Sequence, residues 1–155
     1  MKQRSHADYY NTDYFNWQKN IGVFAGKFKS FIFQKPIKKT DTIIDFGCGG
    51  GFLLKNLKCA RKIGIEPNKN AHHQLKLNNV EAFSSPHELL EKYGENFADV
   101  IISNNALEHS LNPLLELKSL YPLLKKGGLI YFIVPCDNIN LKYYPNNINY
   151  HLYSW

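Results

Sequence analysis

The chain of 155 residues lacks the features that define several large classes of protein. It has no apolar run of the roughly 18 residues that a membrane-spanning helix needs, and residues 1–8 contain no apolar stretch of the kind found in signal peptides. Its three cysteines, Cys48, Cys59 and Cys136, are odd in number and show no C-x-x-C spacing. We therefore expect one cytoplasmic domain with reduced thiols, and we predict no metal site.

A dense basic tract is also missing, although the net charge is +6. Basic residues are instead scattered on both sides of the first predicted strand. They include Lys27, Lys29, Lys35, Lys38, Lys39, Lys55, Lys58, Arg61 and Lys62. Such scatter is typical of solvated helix faces and loops. A nucleic acid or a phosphate-bearing substrate is the less favoured alternative.

The most informative segment that is present spans residues 42–57. Three apolar or β-branched residues lead to Asp45, a glycine-rich turn follows from Gly47 to Gly51, and apolar residues then recur at helical spacing. A strand, a glycine turn and a helix bring backbone N–H groups against a nucleotide-like ligand, and glycine permits the close approach. The dinucleotide fingerprint would need glycine at position 52, where the chain has Phe52. This weighs against a nicotinamide dinucleotide.

A second strand pattern, residues 62–66, ends in Glu66, which follows Gly51 by 15 residues. An acid at the end of the second strand of a doubly wound fold accepts hydrogen bonds from ribose hydroxyls. Dinucleotide-binding folds use an acid in the same way, so Glu66 does not distinguish between cofactors. The alternative is a solvated acid that opens a helix.

Two further motifs complete the pattern. Residues 97–105 form a buried strand that runs into a polar turn and then Leu107-Glu108-His109, and residues 127–135 form a strand entered through two glycines. In their order and spacing the four motifs resemble class I S-adenosylmethionine-dependent methyltransferases. The branch is the one that includes ubiquinone-pathway and small-molecule or sugar enzymes. The resemblance covers roughly residues 40–136.

The resemblance implies an α/β fold with a Rossmann-like, doubly wound and mostly parallel sheet that has helices on both faces. It also implies S-adenosyl-L-methionine as the cofactor. Related enzymes usually continue with another helix and two more strands, so we expect a C-terminally truncated version that lacks the usual C-terminal strands. An uncovered last strand would invite a homodimer through the sheet edge.

The resemblance further implies a cofactor site along the carboxyl ends of the strands. Its expected members are Asp45, Phe46, Gly47, Cys48, Gly49, Gly51, Glu66, Ser84, Ser85, Asn104 and Asn105. By resemblance, Asp45 orients the methionine amino group, the backbone of residues 46–49 lines the methionine end, and Glu66 holds the ribose. Residues 84 and 85 follow the third strand, where adenine is recognised, and residues 104 and 105 lie beside the methionine moiety.

Glu108 and His109 form the one clustered ionisable pair on the expected substrate side, and three interpretations stay open. The pair could brace the loop. His109 could be a catalytic general base, because neutral imidazole accepts a proton near pH 7. The pair could also bind a divalent cation that polarises a hydroxyl. Some relatives use an acid-x-x-Glu-His set in this way, but here Asn105 replaces the first acid.

The chain divides into three segments within one domain. Residues 1–40 form an aromatic-rich segment in which we expect one or two helices, because apolar residues recur at roughly helical spacing over 21–33. By resemblance this segment covers the cofactor mouth, with simple anchoring of the aromatics at 9–17 to the core as the alternative. Residues 41–136 are the predicted cofactor-binding core, and 137–155 are an extension. Strands are predicted at 42–46, 62–66, 80–83, 98–103 and 129–134, and helices at 51–58, 68–77, 86–93 and 112–124.

The last predicted helix has start and stop signals of its own. We expect Asn112 to be its N-cap, Pro113 to take the first helical position and Gly127 to end the segment. Its buried face is predicted to consist of Leu114, Leu117, Leu120 and Leu124.

These observations favour a cytoplasmic methyltransferase that acts on a small molecule or a sugar, without membrane partners. A truncated, non-catalytic module that binds the cofactor or a partner is the main alternative, and an NAD-dependent oxidoreductase is the weaker one. The sequence does not name the acceptor or the atom that is methylated.

Overall fold

The structure is a computed structural model that describes residues 12–136, except for the side chains of residues 12–14, 17 and 18. The predictions made for the side chains of Tyr9, Tyr10, Tyr14 and Trp17 and for the C-terminal extension at 137–155 therefore lie outside the described residues. Within residues 12–136, no helix combines the length and the apolar character that crossing a membrane requires.

Within residues 12–136, five parallel strands form one sheet. They are β1 (Thr42–Phe46), β2 (Arg61–Ile65), β3 (Glu81–Phe83), β4 (Ala98–Asn104) and β5 (Leu124–Ile133). Their order in the sheet is β3-β2-β1-β4-β5. After β3, at one edge of the sheet, the chain therefore crosses over β2 and β1 and forms β4 on the other side of β1. Ligands of such sheets bind outside the carboxyl ends of the strands, where the order reverses.

Helices connect the strands and precede them. They are α1 (Thr12–Phe33), α2 (Phe52–Asn56), α3 (His72–Leu77), α4 (Pro86–Tyr93) and α5 (Pro113–Leu120). Short 3₁₀ turns lie at Lys69–Ala71, Leu107–His109 and Tyr121–Leu123. The predicted one or two N-terminal helices are thus represented by one helix of 22 residues in the described part of the chain.

Two apolar cores lie on opposite faces of the sheet, because neighbouring residues of a strand point to opposite sides. Ile43 lies in one cluster with Phe33 of α1, Leu54 of α2 and Leu75 of α3. Ile44 packs on the other face, in a cluster that includes Leu89 of α4, Leu120 of α5 and Ile101 of β4. Helices on both faces of a parallel sheet confirm the predicted fold class.

Helix α5 begins where the sequence predicts, but it ends earlier than predicted. The Asn112 side chain accepts a hydrogen bond from the Leu115 N–H at 3.0 Å, and Pro113 occupies the first turn. The helix then ends at Leu120 instead of continuing to 124, because Pro122 has no N–H with which to extend it. Leu114, which was expected to be buried, is 61% exposed.

Gly127 was expected to end that helix, and it lies inside β5 instead. The ladder between β4 and β5 shifts register between Ala98, which pairs with Leu124, and Val100, which pairs with Leu129. Gly127 has a φ of 80° within this irregular stretch, a value that glycine adopts without strain. The two glycines therefore form a bulge in an extended strand that begins five residues earlier than the predicted one at 129.

Helix α1 lies directly on the start of α2. A Cβ atom on Gly26 would come within 2.6 Å of the Phe52 carbonyl oxygen, and one on Gly22 would come within 2.7 Å of the Phe52 ring. Only glycine at these two positions lets the helix approach so closely. The contact places α1 beside the glycine turn that follows β1.

Candidate functional site

Two adjacent cavities open at the carboxyl edge of the sheet. The first has a volume of about 200 Å³ and lies between α1 and the glycine turn. The second has a volume of about 340 Å³ and lies over the ends of β2 and β3. Gly47, Asn105 and His109 line both. The two spaces therefore meet at these residues, at the point where the strand order reverses.

The glycine turn is shaped by close contacts that exclude a side chain. Gly47 has a φ of 72°, and a Cβ atom there would lie 2.3 Å from the Cβ of Ala106. Its N–H donates to the Ile65 carbonyl oxygen at 2.9 Å, which fixes the turn to the end of β2. The backbone of the turn consequently forms an open wall for both cavities.

Glu66 joins the end of β2 to this turn. Its Oε2 accepts a hydrogen bond from the Gly49 N–H at 2.8 Å, and its Oε1 accepts one from the Asn68 N–H at 2.9 Å. The residue is only 7% exposed and lines the second cavity, so it is not the solvated acid of the alternative interpretation. Burial raises the pKa of its carboxyl, and the two backbone hydrogen bonds oppose that rise.

Asp45 lies at the inner end of the first cavity. In the sheet it stands between Gly64 of β2 and Ile102 of β4, and it is almost fully buried. Burial, followed by the nearby charge of Glu66, raises the pKa of this carboxyl well above its usual value. The two cavities together form a continuous space, which we call the groove, and two buried carboxyl groups border it. This arrangement suits a cationic ligand, because a positive charge favours the ionised form of a carboxyl group.

Lys29 of α1 supplies a positive charge to the same cavity. Its Nζ donates to Asn104 Oδ1 at 2.7 Å, so α1 is tied to the end of β4. Burial lowers the pKa of Lys29, and the charge of Glu108 opposes that effect. Sequence reasoning missed this residue. The signal that could have found it is the helix face shared with Gly22 and Gly26, where small residues mark close packing.

Glu108 and His109 diverge within their 3₁₀ turn. Glu108 is fully buried, whereas His109 lines both cavities. His109 Nε2 lies 4.0 Å from Glu108 Oε1. Burial raises the pKa of Glu108 to about 7, and the charge of Lys29 lowers it in part. The pair therefore splits into a buried acid and an imidazole at the junction of the two cavities.

Residues 12–136 contain no group of three or more histidine, cysteine, aspartate or glutamate side chains arranged to hold a metal ion. Asn105, which stands where some relatives have the first acid of a metal-binding set, has a φ of 51° and lines both cavities. Its N–H donates to the Ile133 carbonyl oxygen at 2.8 Å. The site is thus built around an amide at this position.

Both predicted serines line the second cavity, but each also takes part in the start of α4. The Ser85 hydroxyl accepts a hydrogen bond from the Glu88 N–H at 3.3 Å, and the Ser84 N–H donates to Glu88 Oε2 at 2.7 Å. Ser85 is therefore a helix cap as well as a wall residue. Its hydroxyl hydrogen stays available to donate to a ligand.

Of the predicted cofactor residues, Asp45, Cys48, Gly49 and Asn104 line the first cavity. Phe46, Glu66 and the two serines line the second. Gly51 lines neither. Its N–H donates to the Cys48 carbonyl oxygen at 2.9 Å, and a Cβ atom there would lie 2.7 Å from Leu75, so Gly51 shapes the turn from behind.

The Cys48 thiol points toward β2, since a Cβ atom on Gly64 would lie 2.5 Å from its Sγ. Burial raises the pKa of this thiol well above its usual value, with the charges of Asp45 and Glu66 adding to the rise. A thiol held neutral is a poor nucleophile. Sequence reasoning also did not identify Ser110, Leu111 and Glu116, which line the second cavity.

Comparison with known proteins identifies the family of the chain. A family model described as "Methyltransferase domain" matches residues 5–152. The ubiquinone biosynthesis O-methyltransferase of Ruegeria pomeroyi is 30% identical over 106 residues, which cover 63% of this chain and 41% of that protein. The enzyme of the same name from Nitrosomonas europaea is 31% identical over 99 residues, which cover 59% and 42%. The chain thus spans about two fifths of the length of these curated relatives.

Solved structures share the fold. A SAM-dependent methyltransferase from Archaeoglobus fulgidus aligns with a TM-score of 0.65 at 20% identity, covering 79% of this chain and 58% of that one. The plantazolicin methyltransferase BpumL, solved with a monoazolic desmethylPZN analog and SAH, aligns with a TM-score of 0.57 at 26% identity, covering 81% of this chain and 51% of that one. The chain therefore shares its fold with these proteins over about four fifths of its length.

Proposed function

The chain belongs to the methyltransferase domain family, and we propose that its groove binds S-adenosyl-L-methionine and transfers the methyl group to a hydroxyl of a small-molecule acceptor. The observation that carries the proposal is the pair of adjacent cavities, with one buried carboxyl on each: Asp45 in the first and Glu66 in the second. The cofactor supplies an already activated methyl group when it is bound. The protein's contribution is then mainly to bind, orient and shield.

The residues present fit the two ends of the cofactor. The larger cavity, with Glu66, Ser84 and Ser85, suits the adenosine end, because a carboxylate accepts from ribose hydroxyls and a serine hydroxyl can donate to a ring nitrogen. The smaller cavity suits the methionine end. Gly47 leaves the backbone wall free of side chains between them, where a Cβ atom would clash with Ala106.

Charge complementarity supports the placement of the methionine end. Its amino group is a cation, and Asp45 is a buried carboxyl on that cavity. Its carboxylate is an anion, and Lys29 is the ammonium on the opposite wall, held by Asn104. We assign Lys29 to the methionine carboxylate as part of this proposal. The assignment gives each charge of the amino-acid end a partner of opposite sign.

His109 is our candidate for removing the proton from the acceptor. It lines both cavities, so its imidazole borders the place where the two ends of the cofactor would meet. A neutral imidazole can take a hydroxyl proton near pH 7. Bracing of the loop by His109 and Glu108 is the structural alternative, and a divalent cation held by this pair is the second chemical one.

The acceptor class is the finer part of the proposal. Curated relatives about 30% identical are named ubiquinone biosynthesis O-methyltransferases, which favours transfer to oxygen. Besides the residues assigned to the adenosine end, the second cavity is lined by Ser110, Leu111 and Glu116, which follow His109 in the chain. This mix of polar and apolar side chains suits a small acceptor that carries both ring and hydroxyl groups. Sugars and sugar nucleotides are the second acceptor class to test.

Two further expectations also stand as proposals. In the part of the chain that the structure describes, β5 pairs with β4 alone, and Leu129 and Phe132 of β5 are partly exposed, which supports a homodimer through this edge. Size-exclusion chromatography with light scattering tests it. The free thiols of Cys48 and Cys59 support a cytoplasmic location.

The function is tested in two steps. Titration calorimetry should show binding of S-adenosylmethionine and of its demethylated product but not of NAD; tighter binding of NAD, or no binding of either sulfur compound, contradicts the proposal. The full encoded protein is then incubated with methyl-labelled cofactor and a panel of phenols, alcohols and sugars, and products are detected by mass spectrometry. Binding without transfer to any class would instead support the non-catalytic binding module.

A further inference from the structure

Helix α1 has an apolar face in addition to the one that packs on the protein. Phe24, Phe28 and Phe31 follow one another at intervals of four and three residues, and they are 79%, 65% and 74% exposed. This spacing puts them on one side of the helix, which we call the phenylalanine stripe. Gly22, Gly26 and Phe33 lie on the opposite side, where α1 contacts the core.

The stripe is large for an exposed apolar surface. With about 200 Å² for each phenylalanine side chain, the exposed fractions amount to roughly 400 Å². Exposed apolar patches of this size on a soluble domain mark sites of interaction with another protein or a membrane. Ile21, half exposed on the flank of the stripe, extends it further.

The segment of chain that carries the stripe contains lysines and no acidic residue. No aspartate or glutamate occurs between Asp13 and Asp41. Lysines in that interval occupy positions 19, 27, 29, 35, 38 and 39, and all except Lys29 are classed as exposed. From residue 14 onward α1 has exposed aromatics, lysines and no acid, which is the composition of a helix that lies in a lipid interface.

We propose that the phenylalanine stripe of α1 binds the surface of an anionic lipid bilayer, with the aromatic rings in the headgroup boundary and the flanking lysines on phospholipid phosphates. Charge decides between this partner and a second copy of the chain. Pairing two such helices would bring lysines of the same sign together, whereas an anionic leaflet attracts each of them. The helix lies on the surface and does not cross it.

This orientation has a consequence for the site. The opposite side of α1 lines the first cavity through Gly22, Gly26 and Lys29. The thickness of one helix, about 10 Å, would separate the lipid surface from that cavity. Bilayer binding would therefore hold the groove beside the membrane while leaving Lys29 in its contact with Asn104.

The test is co-sedimentation of the full chain with vesicles of phosphatidylcholine alone and of phosphatidylcholine mixed with phosphatidylglycerol. The parent should bind the mixed vesicles, and binding should weaken with added salt. The triple variant Phe24→Ser, Phe28→Ser, Phe31→Ser should bind the mixed vesicles about 100-fold more weakly, because interfacial affinity scales with apolar area. The double variant Lys27→Gln, Lys35→Gln should lose affinity for the anionic vesicles, and its affinity for vesicles of phosphatidylcholine alone should stay the same.

A matched control carries Leu77→Ser, Leu114→Ser and Tyr121→Ser, which remove apolar side chains of similar exposure from other elements. It should bind as the parent does. Circular dichroism and thermal melting check folding, and Phe24→Ser alone gives a milder variant should the triple one unfold. Equal binding by the parent and a folded stripe variant overturns the proposal. Absence of parent binding also overturns it, and a dimer that the stripe variant abolishes would then identify a second copy as the occupant.

Discussion

The Glu66 carboxylate accepts a hydrogen bond from the backbone N–H of Gly49 at 2.8 Å, across 17 positions of sequence. The bond links the end of β2 to the turn after β1. One side chain thereby shapes the backbone wall of the first cavity and borders the second. A change at Glu66 is therefore expected to affect both ends of the groove.

Replacing Glu66 by alanine should weaken binding of S-adenosylmethionine by about 1.5–3 kcal/mol, the usual cost of losing hydrogen bonds to a charged group. Titration calorimetry gives the change. Glu95→Ala is the matched control, because Glu95 is exposed and lines neither cavity. Parent-like affinity in a folded Glu66→Ala protein would refute the assignment of this site.

Gly47→Ala and Gly127→Ala form a pair that separates backbone strain from a steric clash. The two glycines have φ values of 72° and 80°, so both variants incur the cost of a positive φ, about 1–2 kcal/mol. A Cβ atom at Gly47 would also meet Ala106, whereas nothing lies within 4 Å of one at Gly127. Chemical denaturation should therefore show a larger loss for Gly47→Ala, and cofactor affinity should fall in that variant alone. Gly49→Val should weaken cofactor binding in the same way.

Lys29→Met should weaken binding of S-adenosylmethionine by about tenfold or more, because it removes the proposed partner of the methionine carboxylate. Binding of methylthioadenosine, which has no such carboxylate, should stay unchanged. Lys27→Met is the control, since Lys27 is exposed on the same helix. An equal loss for both ligands would mean that Lys29 acts on the structure of the cavity through Asn104.

His109→Ala should lower turnover by about 100-fold or more with cofactor affinity almost unchanged, provided that His109 removes the acceptor proton. His73→Ala, on the exposed side of α3, is the control. Addition of a divalent metal or a chelator to the parent separates the base from a metal ligand. A lower melting temperature with an intact rate per folded molecule would instead identify His109 as a brace for its loop.

Glu108 predicts a pH dependence of stability. Burial raises its pKa from 4.5 to about 7, so the folded state binds more protons than the unfolded state between these values. The stability that the protonated Glu108 carboxyl contributes is fully present below pH 4.5 and is lost as the pH rises through about 7. The melting temperature of the parent should therefore fall more steeply with rising pH over this interval than the melting temperature of Glu108→Gln. Identical slopes for the two proteins would show that Glu108 does not titrate in this way.

Local sequence determined much of the fold. The strand that ends at Asp45, the glycine turn and the acid at Glu66 depend on periodicity and on backbone freedom over a few residues, and both can be predicted without tertiary contacts. The N-cap at Asn112 was predicted for the same reason. The end of α5 was not, because Pro122 competes there with a favourable apolar pattern.

Tertiary packing alone decided which residues meet at the groove. Lys29 is 75 positions from Asn104, and their contact exists because two glycines let α1 approach α2. Glu108 and His109 are neighbours in sequence, yet the short 3₁₀ turn buries the first and directs the second to the cavities. The spacing of apolar residues over 21–33 predicts a helix, but it does not predict which of its sides is exposed. The phenylalanine stripe is exposed because the core covers the opposite side of α1. Side-chain burial depends on the position of distant elements, which periodicity along the chain does not contain.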